Sequence, residues 1–323
     1  MFNKVYQFLK GIARIILPEK IRALISYSDH VVSVRHRRHL RAVHIEKEKV
    51  VLPVIVFNFS FGCNLKCEHC GTFSPYRSGL VPKEELLESF DLWSQKIQPV
   101  EIHVSGGEPF LHPDIKEVVI HLKKAWPHAN LMIISNGLLL PNISDDVFQT
   151  LAGLKVKIRI SKHFSDKKHE EILNNVTHRL TTFGIQNWIL DSTVNWLVYY
   201  PLDDRGLPIP SRSNPKAAWS RCYIKYNAFI LGHHLWRCSG IGEIQHGIQN
   251  GCLTSPEWLP ALNHHAVSCD QSVQDILQYL HLGVIPECTL CREDCVYIKP
   301  CQISPQKLKE IQSLLAKDNQ NSK

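Results

Sequence analysis

Residues 55–70 read IVFNFSFGCNLKCEHC, an apolar run at 55–59 that feeds within a few residues into Cys63, Cys67 and Cys70. The run has the length and β-branched and aromatic content of a buried strand. The three cysteines follow a CX3CX2C spacing, so three thiolates lie within eight residues. Such a trio can hold three irons of a [4Fe–4S] cube and leave the fourth iron open to another ligand, whereas an electron-transfer cube uses four cysteines. Two plainer readings stand beside it: a zinc knuckle and a reactive-thiol cluster. Structural zinc needs a fourth Cys or His close by. His69 lies between two of the cysteines, a cramped place for that ligand.

Outward from this stretch the chain alternates strands with helices. Short apolar runs at 100–104, 131–134, 156–160, 188–190 and 197–199 are separated by helical patterns at 82–97, 114–126, 144–151 and 167–183. Strand–helix alternation predicts a parallel sheet, open or curled into a barrel. Sheets of this kind place their chemistry at the carboxyl ends of the strands. The trio follows the first strand, Gly106-Gly107 ends the second, Asn136-Gly137 the third and Ser161 the fourth, so the candidate chemistry collects at one rim. Two adjacent glycines also let backbone come close to a ligand without a Cβ in the way.

The trio after the first strand and Ser105-Gly106-Gly107-Glu108-Pro109 after the second resemble the radical S-adenosylmethionine (SAM) superfamily over about residues 50–200. The resemblance implies an α/β fold, a partial (β/α)6 TIM-like barrel. In it Cys63, Cys67 and Cys70 would bind a [4Fe–4S] cluster whose open iron chelates SAM, giving a 5′-deoxyadenosyl radical that takes hydrogen from an unactivated C–H bond. It further implies that Gly106, Gly107 and Glu108 receive the methionine ammonium, that Asn136 and Ser161 contact the ribose, and that a reductant such as flavodoxin or ferredoxin supplies the electron. Two positions depart from the family. His69 stands where an aromatic residue near the adenine is usual, and Lys162-His163-Phe164 replaces an apolar-Asp-Gly run.

Beyond residue 220 lie eight more cysteines, at 222, 238, 252, 269, 288, 291, 295 and 301. Cys222 and Cys238 flank an expected hairpin (223–230, then 234–237), and with Cys288 and Cys291 they resemble the single auxiliary-cluster extension called twitch, related to SPASM domains. The resemblance implies a second [4Fe–4S] cluster on these four. Cys288, Cys291, Cys295 and Cys301 form a competing zinc set by spacing. An auxiliary cluster would accept the substrate radical's electron and give dehydrogenation. A cysteine hydrogen donor, for which Cys252 and Cys269 are candidates, would give epimerisation. Relatives with one auxiliary cluster suggest a carbohydrate-like substrate. A peptide-modifying maturase is the alternative substrate class, and a non-catalytic zinc or iron–sulfur binding protein the alternative function.

Composition sets the outer bounds. The chain has 323 residues, 44% hydrophobic and 21% charged, ordinary values for a globular enzyme. Its +7 charge sits in residues 1–50, with 11 Lys and Arg against four acids, while the remainder holds 26 of each. A charge-balanced body argues against nucleic acid as partner. Phe2, Val5, Phe8, Leu9, Ile12 and Ile16 give the start an amphipathic pattern that fits packing on the body, or weak association with a membrane surface. The basic run 35–41 reads as a solvated helix face. No stretch is long and apolar enough for a membrane span. Residues 11–17 are too short and charged for a secretory signal, so reduced thiols and a cytoplasmic location are expected. The expected parts are a basic extension at 1–49, the barrel at 50–201, a cysteine-rich cluster domain at 202–303, and a helix and tail at 304–323.

Overall fold

A computed structural model describes residues 29–193 and 196–321. The amphipathic stretch at the start lies outside the described residues. A helix α1 (Asp29–Ala42) leads into a short strand β1 (His44–Glu46), which pairs antiparallel with β2 (Lys49–Ser60). Four units then follow in strand–helix order: α2 (Lys83–Ser94), β3 (Ile97–Gly106), α3 (Ile115–Ala125), β4 (Asn130–Ser135), α4 (Asp145–Gly153), β5 (Lys157–Lys162), α5 (Lys167–Thr182) and β6 (Asn187–Asp191). Strands β2 to β6 pair in sequence order and all run parallel. This is a mixed α/β fold whose main sheet is parallel from β2 to β6, as strand–helix alternation predicts, followed by a cysteine-rich region.

The local causes are plain. Helix α2 follows Pro82, whose ring fixes the backbone at its N-cap, and carries Glu84 and Glu85 where the positive end of the helix dipole favours acids. It buries Leu86, Phe90 and Trp93. Helix α5 is capped by Asp166, whose carboxylate accepts from the His169 amide at 3.0 Å. Alternate strand residues Ile55, Phe57, Phe59, Ile102, Val104, Ile133, Ile158 and Ile160 meet these helices in one core. Burying an aromatic or branched side chain of this kind contributes about 1.5–3 kcal/mol.

The chain then departs from simple alternation. The run at 197–199 was expected to extend the sheet. It forms β7 (Trp196–Val198) instead, in a separate ribbon with β11 (Val296–Ile298). After α6 (Pro215–Arg221) comes β8 (Ala228–Leu231), which joins the opposite edge of the main sheet, parallel to β2. The hairpin turns at Gly232, with φ of 54°, into β9 (His234–Trp236), and β10 (Val267–Ser268) pairs outside it. Helices α7 (Ser239–Gln249), α8 (Val273–Leu280) and α9 (Pro305–Asn321) complete the region. A second core, with Val56, Phe229, Trp236, Ile241, Ile244 and Trp258, covers the other face of β2 and β8. The basic run at 35–41 is only partly the solvated face expected. Arg37, Arg38 and Arg41 are exposed, but His39 stacks on Tyr226 at 4.1 Å and bonds the Leu280 carbonyl at 3.3 Å.

Candidate active site

The ends of β2, β3 and β4 are bound to one another at the rim where the trio sits. The Gly107 amide donates to the Ser60 carbonyl at 2.8 Å, and the Glu108 amide donates to the Gly62 carbonyl at 3.0 Å. A Cβ on Gly106 would lie 2.1 Å from the Ser60 oxygen, and one on Gly107 would lie 1.8 Å from the Gly62 oxygen. Both glycines are therefore required by the approach of the trio's own loop, whatever ligand lies above. The Glu108 carboxylate is fully buried and turned inward. It accepts from Ser135 Oγ at 2.8 Å, the Asn136 amide at 2.8 Å and the Phe110 amide at 3.2 Å. Burial raises its pKa to about 7 in spite of these three donors. Asn136 in turn donates from Nδ2 to Asn64 Oδ1 at 2.7 Å and towards Cys63 Sγ at 3.6 Å.

The sulfurs lie among donors. Cys63 also accepts from the Leu65 amide at 3.4 Å, Cys67 from Gln302 Nε2 at 3.0 Å, and Cys70 lies 3.3 Å from Thr72 Oγ1. Burial pushes the Cys63 thiol up to about 12 and Cys67 higher still, and the neighbouring sulfurs add to both shifts. Cys63 and Cys67, which resist deprotonation alone yet meet N–H donors, and Cys70 beside them fit a bound iron that holds the three as thiolates. His69 adopts φ of 55° and its Nδ1 lies 3.2 Å from the Tyr200 carbonyl. Ser161 is the penultimate residue of β5, half-buried at the same rim.

Sequence reasoning missed how the far C-terminal segment grips this loop. The Glu68 amide donates to the Cys301 carbonyl at 2.9 Å and the Ile303 amide to the Lys66 carbonyl at 2.8 Å. Gln302 accepts from the Lys66 amide at 2.5 Å while donating to Cys67. Cys301 Sγ lies 2.8 Å from Glu68 Oε2. Cys301 thus belongs beside the trio, and the zinc set of Cys288, Cys291, Cys295 and Cys301 is not gathered.

Cys222, Cys238, Cys288 and Cys291 instead line a single cavity. Cys222 caps the end of α6, Cys238 caps the start of α7, and Cys288 and Cys291 lie in and just after a tight turn at Pro286–Leu290. Burial raises the pKa of Cys222 to about 12 and of Cys288 to about 11, and lifts Cys291 well above the usual thiol range. Lys225 and Arg237, both buried, line the same cavity, and Arg237 Nε has no partner there. Two cations suit a centre of four thiolates. Among the described residues no three His, Cys, Asp or Glu side chains are drawn together around a single ion. A cube spreads its thiolates wider than one ion does. Cys295 lines a neighbouring cavity with Cys222 and Cys291. Cys252 and Cys269 are 2% and 5% exposed and lie in the two hydrophobic cores.

Tyr199 and Tyr200 join the two cysteine sets. A Cβ on Gly71, next to Cys70, would lie 3.1 Å from the Tyr199 ring, and the Tyr199 carbonyl accepts from the Arg292 amide at 3.2 Å. The Tyr200 carbonyl meets His69, and its hydroxyl lies 4.0 Å from Cys291 Sγ. A buried polar cluster adds a second link: Glu243 of α7 accepts from Asn58 Nδ2 at 2.6 Å and pairs with Arg77, which also meets His246 at 2.8 Å.

Residues 57–183 match the Radical SAM superfamily. This segment is a radical SAM domain. Radical SAM domains use a [4Fe–4S] cluster and SAM and depend on an electron donor. Among curated relatives, GTP 3′,8-cyclase of Aquifex aeolicus is 26% identical over 137 residues, 40% of this chain and 41% of the relative. The 7-carboxy-7-deazaguanine synthase of Methanothermobacter thermautotrophicus is 34% identical over 110 residues, 32% of this chain and 41% of the relative. The chain therefore spans about two fifths of the length of these relatives. Among solved structures, BtrN in complex with AdoMet and 2-DOIA aligns with a TM-score of 0.39 and 13% identity, over 84% of this chain and 89% of that one. Streptococcus suis SuiB bound to S-adenosylmethionine aligns with a TM-score of 0.36 and 19% identity, over 55% of this chain and 45% of that one. Among the described residues of the chain, no helix is long and apolar enough to cross a membrane.

Proposed function

We propose that this radical SAM enzyme oxidises a C–H bond of a carbohydrate-like small molecule held between the barrel mouth and the cysteine-rich region. The observation that carries the reading is the second cavity, where four cysteines from three separate segments meet beside two buried cations. Cys63, Cys67 and Cys70 would hold the SAM-binding cluster, and Cys222, Cys238, Cys288 and Cys291 a second [4Fe–4S] cluster. When bound, the first cluster and SAM together supply a radical able to take hydrogen from an unactivated carbon. The chain's part is placement and exclusion of water. Gly106 and Gly107 let the trio's loop close on β3, and Glu108 locks the strand ends, which leaves rim backbone for the methionine ammonium. Asn136 and Ser161 would contact the ribose, and His69 the adenine.

A four-thiolate cluster has no open iron, so its work would be to accept an electron or to hold structure. Lys225 and Arg237 favour the more negative, reduced state of such a centre, which suits an acceptor. Cys252 and Cys269 are enclosed in apolar packing, which supports oxidation over epimerisation by a thiol donor. The test is anaerobic reconstitution with iron and sulfide, followed by iron analysis and incubation with dithionite and SAM. About eight irons per chain are expected, two cubes of four, together with 5′-deoxyadenosine. Four irons only, or no SAM cleavage, would overturn the reading.

A further inference from the structure

The inner face of the sheet carries a cation for which the described chain supplies no counter-charge. In β5, Ile158 and Ile160 point into the helix-side core, so Arg159 between them faces the opposite way. In register it stands between Ile134 of β4 and Trp188 of β6. Its Nε is buried without a hydrogen-bond partner. The acid on the same face, Glu101, is engaged by His103 at 3.2 Å. The ionisable groups near the guanidinium are the phenols of Tyr223 and Tyr199 and the imidazole of His103, not a carboxylate. A half-buried charge left in this state is costly unless a ligand completes it.

The place matters as much as the charge. Arg159 precedes Ser161 by two residues, so it lies one pleat, about 7 Å, below the rim. Tyr199 rests against Gly71 beside the trio, and its ring centre is 6.2 Å from that of Tyr223, which follows Cys222. The guanidinium therefore lies near the two tyrosines that run between the cysteine sets.

We propose that Arg159, flanked by Tyr199 and Tyr223, anchors an anionic group of the substrate, a carboxylate or phosphate, by its two-pronged donor face. The inference rests on the function proposed above and narrows its substrate to a small anionic molecule, such as a sugar phosphate or sugar acid. A guanidinium offers paired donors to either oxyanion, and two phenol hydroxyls can complete the shell.

Reconstituted full-length protein with SAM bound would be titrated calorimetrically at fixed ionic strength with glucose 6-phosphate, glucuronate, inorganic phosphate and uncharged glucose. The charged probes should bind more tightly than glucose. Arg159→Gln should weaken them at least about tenfold, and Arg159→Lys should weaken them less, because it keeps the charge and loses the fork. Tyr223→Phe, at a largely exposed position, gives a second variant that spares the fold and should cost a few-fold, about one neutral hydrogen bond. Iron content checks folding of each variant. Equal binding of every charged probe by wild type and Arg159→Gln, or no binding of any of them by wild type, overturns the proposal. A parallel fall in SAM affinity in Arg159→Gln also overturns it, since the anion would then be the carboxylate of SAM. Absence of SAM cleavage by wild type would instead overturn the function above, and the probe titration would still report on Arg159.

Discussion

The two cysteine sets are built in opposite ways. Cys63, Cys67 and Cys70 lie on one loop, within eight residues, and their spacing alone brings them together. Cys222, Cys238, Cys288 and Cys291 come from the end of one helix, the start of another and a tight turn some fifty residues on, so only the fold gathers them. The first set is tied to the ends of the neighbouring strands through Asn136 and the Glu108–Gly62 backbone bond. The second is enclosed with Lys225 and Arg237. A loop with three ligands suits a centre that exchanges its fourth partner, and a closed cage of four suits one that does not.

The comparison breaks most sharply if the sets do not separate by function. Replacing Cys63, Cys67 and Cys70 by Ala should reduce 5′-deoxyadenosine formation to background and leave about four irons per chain. Retained cleavage would remove the trio from the chemistry. Next in size, the pair Cys222→Ala and Cys238→Ala should leave SAM cleavage measurable while removing about four irons. Loss of SAM cleavage together with all of the iron would mean that the second set holds the fold together and has no separate redox part.

A third test probes the joint between the halves. Arg77 and Glu243 are an ion pair with side chains 3% and 4% exposed, tied to Asn58 on the barrel side. Removing one partner strands the other charge, so Arg77→Met should cost about 3–5 kcal/mol in denaturant unfolding, and the double replacement with Glu243→Leu should cost less. Equal losses would show that the pair contributes by packing alone, including the contact of Arg77 with the Phe61 ring at 5.0 Å.

The same contrast explains what could be read from sequence. Periodicity located the helices beginning near residues 83, 115, 145 and 167, because each repeats its apolar face over a short span. The trio and the glycine pair were legible because their partners are near neighbours at strand ends. The run at 197–199 was read as another strand of the sheet, since an apolar triplet says nothing of its partner, and that partner lies about a hundred residues away at Val296–Ile298. Arg77, Glu243, Gln302 and Arg159 went unnoticed for a related reason. Nothing beside them in the chain marks the contacts they make, and Glu243 reaches Arg77 across 166 positions. Glu108 was noticed for its charge, yet its carboxylate is spent on Ser135, Asn136 and Phe110.

His39 carries a smaller prediction from the same lesson. Taken as part of a solvated basic face, it is docked, and burial lowers its pKa to about 4 against the bond to the Leu280 carbonyl. The folded chain thus binds fewer protons than the unfolded one between the usual histidine value near 6.5 and about 4. Stability from the docked neutral ring is full above that window and is lost as pH falls through it. Melting temperature should therefore drop on acidification from pH 7 to 5, and His39→Phe should flatten the slope in part. His163 and His246, lowered to about 4 in the same way, add to the slope with the other buried histidines, and Glu108, raised to about 7, opposes it in part between pH 7 and 5.

The smallest effect concerns one side chain, Gln302, which accepts from the Lys66 amide while donating to the trio. Gln302 donates to Cys67 Sγ at 3.0 Å, and the backbone on either side of it is held independently, Ile303 to Lys66 at 2.8 Å and Glu68 to Cys301 at 2.9 Å. Replacing the side chain should therefore leave the loop and its iron in place. A donor to a ligating sulfur favours the reduced, more negative cluster, so its loss should make reduction harder. For Gln302→Leu the expected shift is up to about tenfold in the reduction equilibrium, about 59 mV for one electron, read by redox titration of the reduced cluster's paramagnetic signal. Gln302→Glu should move the potential further in the same direction, because it removes the donor and brings a negative charge to the sulfur. An unchanged potential with lowered iron content would make Gln302 a strut of the loop. A shift at full iron content would mean that this distant segment tunes the trio as well as gripping its loop, so the open set, like the closed one, depends on the far end of the chain.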